Sequence, residues 1–380
     1  MSQNTSRTPT QAGHWVVTEF GGPSVLKWRP FPEGKKPTSG TNNTLLRVLI
    51  TGISGADNIQ RAGGYTRVPQ TSKPGFTPGY DCVGVIESLG ELDGSDWARK
   101  FNVGDLVATI CVTGAYATHI VVPLEDCLPL RKDDDLIKVV ALPLNYMTAL
   151  GMLKLSAFAV TEGTESILIG SVAGGVGTAV AQVARMLFPN LKIFGTCSEG
   201  KFDYVRGLGV VPIDRNEPAE KIAEKIRELN AGRGVDVAYE ATGSEVNMRA
   251  FLSATKEDSG RLIAIGMMAN VKSDGSSTTK ETFDPISFAA ANSERMSFFS
   301  VTNHYWRGQR EKFREDFEDV LLLAVREGRL NPAIGSLWQL KDAVEINEML
   351  ASGRGITGKL EMIVDEDLWS RFGDGQSGRR

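Results

Sequence analysis

The chain has 380 residues, more than one ordinary domain holds, and 41% of them are hydrophobic, enough for two sizeable cores. A net charge of −4 with no visible basic stripe argues against a nucleic-acid partner. The polar start "MSQNTSRTPTQAG" lacks the apolar stretch of a secretory signal. The greasiest region, Leu136 to Val160, is interrupted by Lys138, Pro143, Asn145 and Lys154 and reads as too broken for a transmembrane segment, so a cytoplasmic protein is expected.

In chain order, residues up to about 140 form short apolar runs separated by glycine and proline: "HWVVTEF", "TLLRVLITGI", "CVGVIESLG", "DLVATICVT" and "ATHIVVP". That pattern predicts a β-rich unit with irregular loops. From about Met147 the period changes. "SILIG", "LKIFGTC", "VDVAYEAT" and "RLIAIG" alternate with helical stretches such as "GTAVAQVARML", "KFDYVRGLG", "PAEKIAEKIRELN" and "VNMRAFLSA". Strands alternating with helices predict a doubly wound parallel sheet, an α/β class. A further strand "MSFFSV" precedes the helix "EDFEDVLLLAVREG", and the chain closes through "SLWQL", the helix "KDAVEINEML" and the strand "GKLEMIV". The expected organisation is a substrate-side domain over 1–145, a dinucleotide domain over 146–303, a return segment over 304–365 and a disordered tail over 366–380. The segment 270–282 reads as a mobile loop. The four cysteines (Cys82, Cys111, Cys127, Cys197) form no CxxC pair and indicate neither a disulfide framework nor a zinc knuckle.

The stretch "SILIGSVAGGVGTAVAQVARM" reads as strand, glycine turn and helix. Gly174, Gly175, Val176 and Gly177 fall where backbone N–H groups and the positive end of a helix dipole would receive a pyrophosphate. Gly177 would also let helix and strand pack closely. The first glycine of the usual GxGxxG is replaced by Val172. The end of the next strand, "FGTCSEGKFDY", carries no carboxylate for a ribose 2′-hydroxyl. Ser198 and Lys201 instead suit a 2′-phosphate, so NADPH is the expected cofactor. Glu199 lies nearby, in a turn where it can face solvent.

The phrases "LPLNYMTALGML", "SVAGGVGTAVAQVAR", "FGTCS", "GVDVAYEATG", "GMMAN", "EGRLNPAIGSLW" and "GITGKLEM" follow one another in the order found in medium-chain dehydrogenases/reductases. The chain resembles the zinc-independent quinone oxidoreductase and enoyl reductase group of that superfamily, most of all the vesicle amine transport protein branch. The resemblance runs from about Trp15 to Val364. It implies a GroES-like β-rich domain, a Rossmann domain and a cleft between them for hydride transfer. It further implies that Asn145 and Thr148 approach the nicotinamide, that Gly266 and Met267 pass beside it, and that Lys359 reaches the cofactor from the returning domain. Relatives commonly pair through the last strand of the cofactor sheet, here "MSFFSV", so a homodimer is expected.

Zinc-dependent relatives place a cysteine and a His-Glu pair where this chain has Ser54, Tyr80 and Asp81, and the four-cysteine zinc lobe is missing. His14, His119 and His304 form no HxxxH pair. No metal is therefore expected. Without a metal, the enolate formed on reducing an α,β-unsaturated carbonyl needs a hydrogen-bond or proton donor. The enoyl reductase pattern DxxxxxGxY lands on Asp57, Gly63 and Tyr65; the resemblance implies that Tyr65 is the donor, the alternative being a tyrosine that only lines the pocket. Ser54 is expected as a second group, bonding the nicotinamide ribose or the substrate. A reductase of enones or quinones is the first functional expectation. The alternative is an NADPH-binding protein with a lipid- or membrane-associated interaction role and little turnover.

Overall fold

The computed structural model describes residues 11–372 apart from 33–37, 39, 66, 67, 93, 95–99, 273 and 277–282. The chain divides into two compact units, one of residues 1–140, 336–352 and 361–380, the other of residues 141–335 and 353–360.

The first unit is built on antiparallel strands: β1 (Gly13–Val17), β2 (Leu26–Pro30), β3 (Asn43–Ile53), β4 (Asp81–Leu89), β5 (Leu106–Ile110), β6 (His119–Pro123) and β7 (Cys127–Pro129). Together with β14 (Ile334–Gln339) and β15 (Lys359–Ile363), the main sheet runs β14-β15-β3-β4-β5-β7, with β6 also paired to β3. β3 is the hub because nine of its eleven residues are buried, the polar Thr44 and Thr51 among them. Two register shifts, between Leu45 and Leu46 and between Val48 and Ile50, bend it. Leu46, Val48, Cys82, Ile86, Val107, Leu124 and Cys127 fill the core under it. β1 and β2 form a separate hairpin, tied down where the Trp15 indole N–H donates to the Leu340 carbonyl at 2.8 Å.

The second unit contains β8 (Ser166–Ile169), β9 (Lys192–Cys197), β10 (Val211–Asp214), β11 (Val237–Glu240), β12 (Arg261–Ala264) and β13 (Met296–Phe298) in the order β10-β9-β8-β11-β12-β13. Every pairing is parallel. The order reverses between β8 and β11, which makes that junction the switch point where such sheets bind ligands. β8 and β11 are buried along their whole length, as strands covered on both faces must be. Leu168, Phe194, Ile226, Ala238, Met248, Phe251 and Leu262 form the core. At the bottom of the sheet the Asp236 carboxylate accepts the Glu165 and Ser166 N–H groups at 3.0 and 2.9 Å and pairs with Lys256 at 2.6 Å, so β8 and β11 start in register.

Several expectations are revised. Residues 304–335 belong to the cofactor-type unit, because Tyr305, Phe313, Phe317 and Leu321 are buried there and the Tyr305 hydroxyl donates to Asp316. The return to the first unit begins at Ser336, and residues 353–360 go back to the second unit. The expected tail begins as a helix, Glu366–Phe372, with Leu368 buried and its N–H bonded to the Asp365 carboxylate at 3.0 Å. Residues 373–380 lie outside the described residues. So do residue 273 and residues 277–282 of the expected mobile loop, whose start, Met268–Asn270, is a short helical turn. The stretch Leu136–Lys154 is one helical run of 19 residues, apolar enough and long enough to cross a membrane by those criteria alone. However, 83% of it is buried within the protein. Pro143 and Asn145, which seemed to interrupt it, are absorbed by a π-helical turn over Leu142–Tyr146.

Candidate functional site

In the second unit, β8 runs into a tight turn and then into the helix Gly175–Leu187, capped by Gly174. The first helical bond is Thr178 N–H to the Gly174 carbonyl at 2.8 Å, so the N–H groups of Gly175, Val176 and Gly177 precede it and have no helical acceptor. A Cβ on Gly177 would stand 2.5 Å from the Ser171 oxygen and 2.6 Å from the Val172 Cα. Glycine is therefore required by close backbone approach. The departure from the usual motif at Val172 is compensated on the neighbouring strand. Gly195 of β9 leaves room for the valine, since a Cβ there would lie 2.5 Å from Val172 Cγ1. From the other side, Gly358, at a φ of +64°, donates to the Ala173 carbonyl at 2.9 Å and bridges Gly174 in parallel fashion. The cradle is rigid backbone with few side chains to obstruct a ligand.

The end of β9 carries the expected residues. Ser198 is partly exposed, Glu199 is exposed, and Lys201 is half-buried. Burial lowers the Lys201 pKa, and the neighbouring guanidinium of Arg215 lowers it further. Arg215 follows β10, its N–H donating to the Cys197 carbonyl at 2.9 Å. Neither cation has a carboxylate partner among the described residues. Two mutually repelling cations at a strand end form a site that an anion would relieve. Arg215 escaped sequence reading because it sits at the end of a different strand. Tyr204 was missed for another reason: it lies in the helix Phe202–Gly207 directly after β9, and only the fold brings its hydroxyl to 3.2 Å from the Thr178 hydroxyl.

Asn145 and Gly175 are in direct contact: a Cβ on Gly175 would collide with the Asn145 amide nitrogen. The Asn145 side-chain oxygen is buried and has no hydrogen-bond partner, an orphaned acceptor beside the glycine turn. Thr148 is nearly buried and spends its hydroxyl proton on the Leu144 carbonyl at 2.6 Å. Gly266 packs so closely on the Ala241 carbonyl that no side chain would fit, and Met267 follows it, partly buried. Lys359 is 1% exposed and its N–H donates to the Ala333 carbonyl at 2.8 Å. It belongs to the same unit as the glycine turn and does not reach it from the other one. The orphaned acceptor, the glycine cradle and the unpaired cations fit a dinucleotide with an extra phosphate.

The first unit holds the other expected group. Ser54 caps the helix Gly55–Arg61, and its N–H and hydroxyl both donate to one oxygen of the Asp57 carboxylate, at 2.8 and 2.9 Å. The other Asp57 oxygen accepts the Gly79 N–H at 3.1 Å. Asp57 is therefore a buried clamp, and the Ser54 hydroxyl can serve a ligand as an acceptor. Gly63, at a φ of +82° and against the Phe20 ring, turns the chain toward Tyr65. The Tyr65 carbonyl accepts the Val68 N–H and the Thr71 hydroxyl, both at 3.1 Å, and holds the backbone in place. Burial, with the added repulsion of Tyr80 and Asp57 against an ionised phenol, raises the Tyr65 pKa well above the ordinary phenol range. Its hydroxyl stays protonated at any physiological pH.

Residues 40–132 match the family model described as alcohol dehydrogenase GroES-like domain, and residues 175–318 match that described as zinc-binding dehydrogenase. Quinone oxidoreductase of Rattus norvegicus is 30% identical over 353 residues, covering 92% of this chain and 96% of the relative. The chain belongs to the medium-chain dehydrogenase/reductase superfamily, among its quinone oxidoreductase and VAT-1-like proteins. The human synaptic vesicle membrane protein VAT-1 homolog-like is 27% identical over 361 residues, 92% of this chain and 80% of that one. A mycobacterial structure complexed with NADPH shares the fold at a TM-score of 0.75 and 24% identity, over 93% of this chain and all of the other. The architecture is thus a GroES-like domain with a Rossmann domain, as the sequence led one to expect.

The second family description mentions zinc, but this medium-chain reductase offers a poor donor set at the positions concerned. Ser54 is committed to Asp57, Tyr80 presents a phenol, and among the described residues no cluster of three His, Cys, Asp or Glu could hold a metal ion. The Val172–Gly195 contact has a direct test. Gly195→Ala should overpack the turn and destabilise the protein by about 1–3 kcal/mol. Adding Val172→Gly, which removes the Val172 Cβ that would stand 2.7 Å away as well as its methyl groups, should restore part of the loss, as measured by chemical denaturation of the two variants.

Proposed function

We propose that this chain is an NADPH-dependent, zinc-independent reductase of activated C=C bonds, in enones and enoyl compounds, or of quinones. The observation that carries the reading is the pair of unpartnered cations, Lys201 and Arg215, at the end of a strand that lacks a carboxylate and beside a glycine cradle. NADPH, when bound, supplies the hydride. In this reading the cradle N–H groups of Gly175, Val176 and Gly177 hold the pyrophosphate, with Gly174 shaping the turn through its own N–H bond to the Ser171 carbonyl at 2.9 Å, while Ser198, Lys201 and Arg215 hold the 2′-phosphate. Asn145, Thr148, Gly266, Met267 and Lys359 shape the nicotinamide side. The protonated Tyr65 phenol donates a hydrogen bond, or its proton, to the substrate oxygen that gains negative charge, and Ser54 accepts a hydrogen bond from substrate or ribose. Asp57 fixes Ser54. The quinone oxidoreductase relatives support a small-molecule acceptor of this class. The vesicle-membrane names of the VAT-1-like relatives favour a second reading, an NADPH-binding interaction protein, which predicts no turnover with any enone or quinone. A cytoplasmic setting is part of this proposal; the one helix long and apolar enough to cross a membrane among the described residues is mostly packed inside the protein.

The homodimer is also a proposal. β13 ends the cofactor sheet with one edge free in a single chain, and an apolar strand with a free edge is a template for a second copy. Light scattering at micromolar concentration should give twice the chain mass; the mass of one chain would count against pairing.

Lys201→Ala should weaken NADPH by about 1.5–3 kcal/mol, on the order of ten- to a hundred-fold, and leave NADH little changed. Equal affinity of the unaltered chain for the two cofactors would refute the assignment. Tyr65→Phe should lower kcat on an enone by about 10²-fold with NADPH affinity nearly unchanged, and quinone reduction should depend on it less, since quinones can take protons from water. Both rates are to be measured with and without a chelator. Loss of activity in the chelator, with one zinc per chain by metal analysis, would overturn the zinc-independent reading.

A further inference from the structure

A carboxylate is buried at the switch point on the side opposite the cations. Glu240 ends β11 and is 1% exposed. One of its oxygens accepts the Thr242 N–H at 2.8 Å and the Thr242 hydroxyl, and the other accepts the Gly243 N–H at 2.7 Å. No Lys, Arg or His pairs with it among the described residues. A charge buried without a counter-charge is costly unless N–H and O–H donors replace its water, and here three donors from one short turn do so. Burial raises the pKa of this carboxylate and the three bonds pull it back. Such a group is an expensive way to cap a turn, and its cost points to a turn whose shape matters.

The turn is built to hold something else in place. The Thr242 carbonyl accepts the Ala269 N–H at 2.8 Å, and the Glu240 carbonyl accepts the Ile265 N–H at 3.0 Å, so the segment after β12 hangs on the segment after β11. Asn247 reinforces it, its amide donating to the Thr242 hydroxyl at 2.9 Å. Gly243 takes a φ of +69° with its Cα face against the Gly266 carbonyl, and Gly266 in turn lies against the Ala241 carbonyl. The two backbones touch with no side chain between them. Any drift of residues 241–243 is passed directly to Gly266 and Met267.

Resting on the NADPH reading above, we infer that Glu240 is a positioning residue for the nicotinamide half of the cofactor. It acts through the Thr242–Gly243 turn on the Gly266–Met267 wall and does not touch the ligand. It has no part in holding the 2′-phosphate half, which lies with β9 and β10.

The two halves can be probed separately in the full-length protein. NADPH reports on both, and adenosine 2′,5′-bisphosphate carries the 2′-phosphate but no nicotinamide. Glu240→Gln keeps the size of the side chain, but its single remaining carbonyl oxygen cannot serve both Thr242 and Gly243, so one N–H loses its acceptor. The expected result is a rise of about tenfold in the Kd for NADPH, with the Kd for adenosine 2′,5′-bisphosphate within twofold of the unaltered chain. Lys201→Ala should instead weaken both. Unchanged NADPH affinity in Glu240→Gln, or an equal loss for the two ligands, would overturn the inference. If Glu240→Gln does not fold, Thr242→Val carries the test. It should weaken NADPH selectively, Thr242→Ser should restore it, and a Thr242→Val protein that binds NADPH normally would overturn the inference. If the unaltered chain binds the bisphosphate but not NADPH, the function proposed above fails and this inference fails with it.

Discussion

Everything proposed for the cofactor rests on close approach of backbone to backbone around the turn after β8. Gly177 lies against Ser171 and Val172, and Gly358 donates into the Ala173 carbonyl. Gly195 makes space for Val172 from the adjacent strand. Side chains at these points would push the segments apart by more than a well-packed interior tolerates. Since nothing protrudes, the free N–H groups at the start of the helix Gly175–Leu187 stay accessible and fixed in direction. The same constraint explains why residues 353–360 leave the first unit: their glycine is what closes the cradle.

Charge is distributed unequally about that turn. On the side of β9 and β10, Lys201 and Arg215 stand near each other without carboxylates, at an energetic cost that an anionic ligand would remove. On the side of β11, Glu240 is buried without a cation but is fully occupied by donors from its own turn. The first arrangement is the one to which the proposed function assigns the 2′-phosphate, and the second has its hydrogen-bonding capacity met within its own turn.

In the first unit a single carboxylate has a comparable role. Asp57 joins the start of the helix Gly55–Arg61 to Gly79, just before β4, and accepts the Ser54 hydroxyl hydrogen bond in doing so. Tyr65, the donor in the proposed reaction, is held in the phenol form by its surroundings. Where zinc-dependent members of the superfamily carry metal ligands, this chain has Ser54 inside a capping box and a nearly buried Tyr80.

The sequence by itself determined the α/β sheet, the glycine turn at residues 174–177 and the absence of a carboxylate at the very end of β9, where Glu199 follows only in the turn. These are local signals: hydrophobic period, glycine spacing and the residue type at a strand end. The motif DxxxxxGxY was also legible; its aspartate is the acceptor that fixes the Ser54 cap, and its glycine is the left-handed turn that leads to Tyr65. What only the tertiary structure decided involves residues far apart in the chain. Arg215 meets Lys201 because β9 and β10 are parallel neighbours, and Val172 is tolerated because Gly195 lies beside it. The assignment of residues 304–335 and 353–360 to the second unit depends on burial of Tyr305, Phe313 and Phe317 and on the bridge from Gly358. The polar-looking end at 366–372 folds because Leu368 finds a buried place. Pairings of this kind leave no periodic trace, since their energy comes from contacts between segments that sequence order does not bring together.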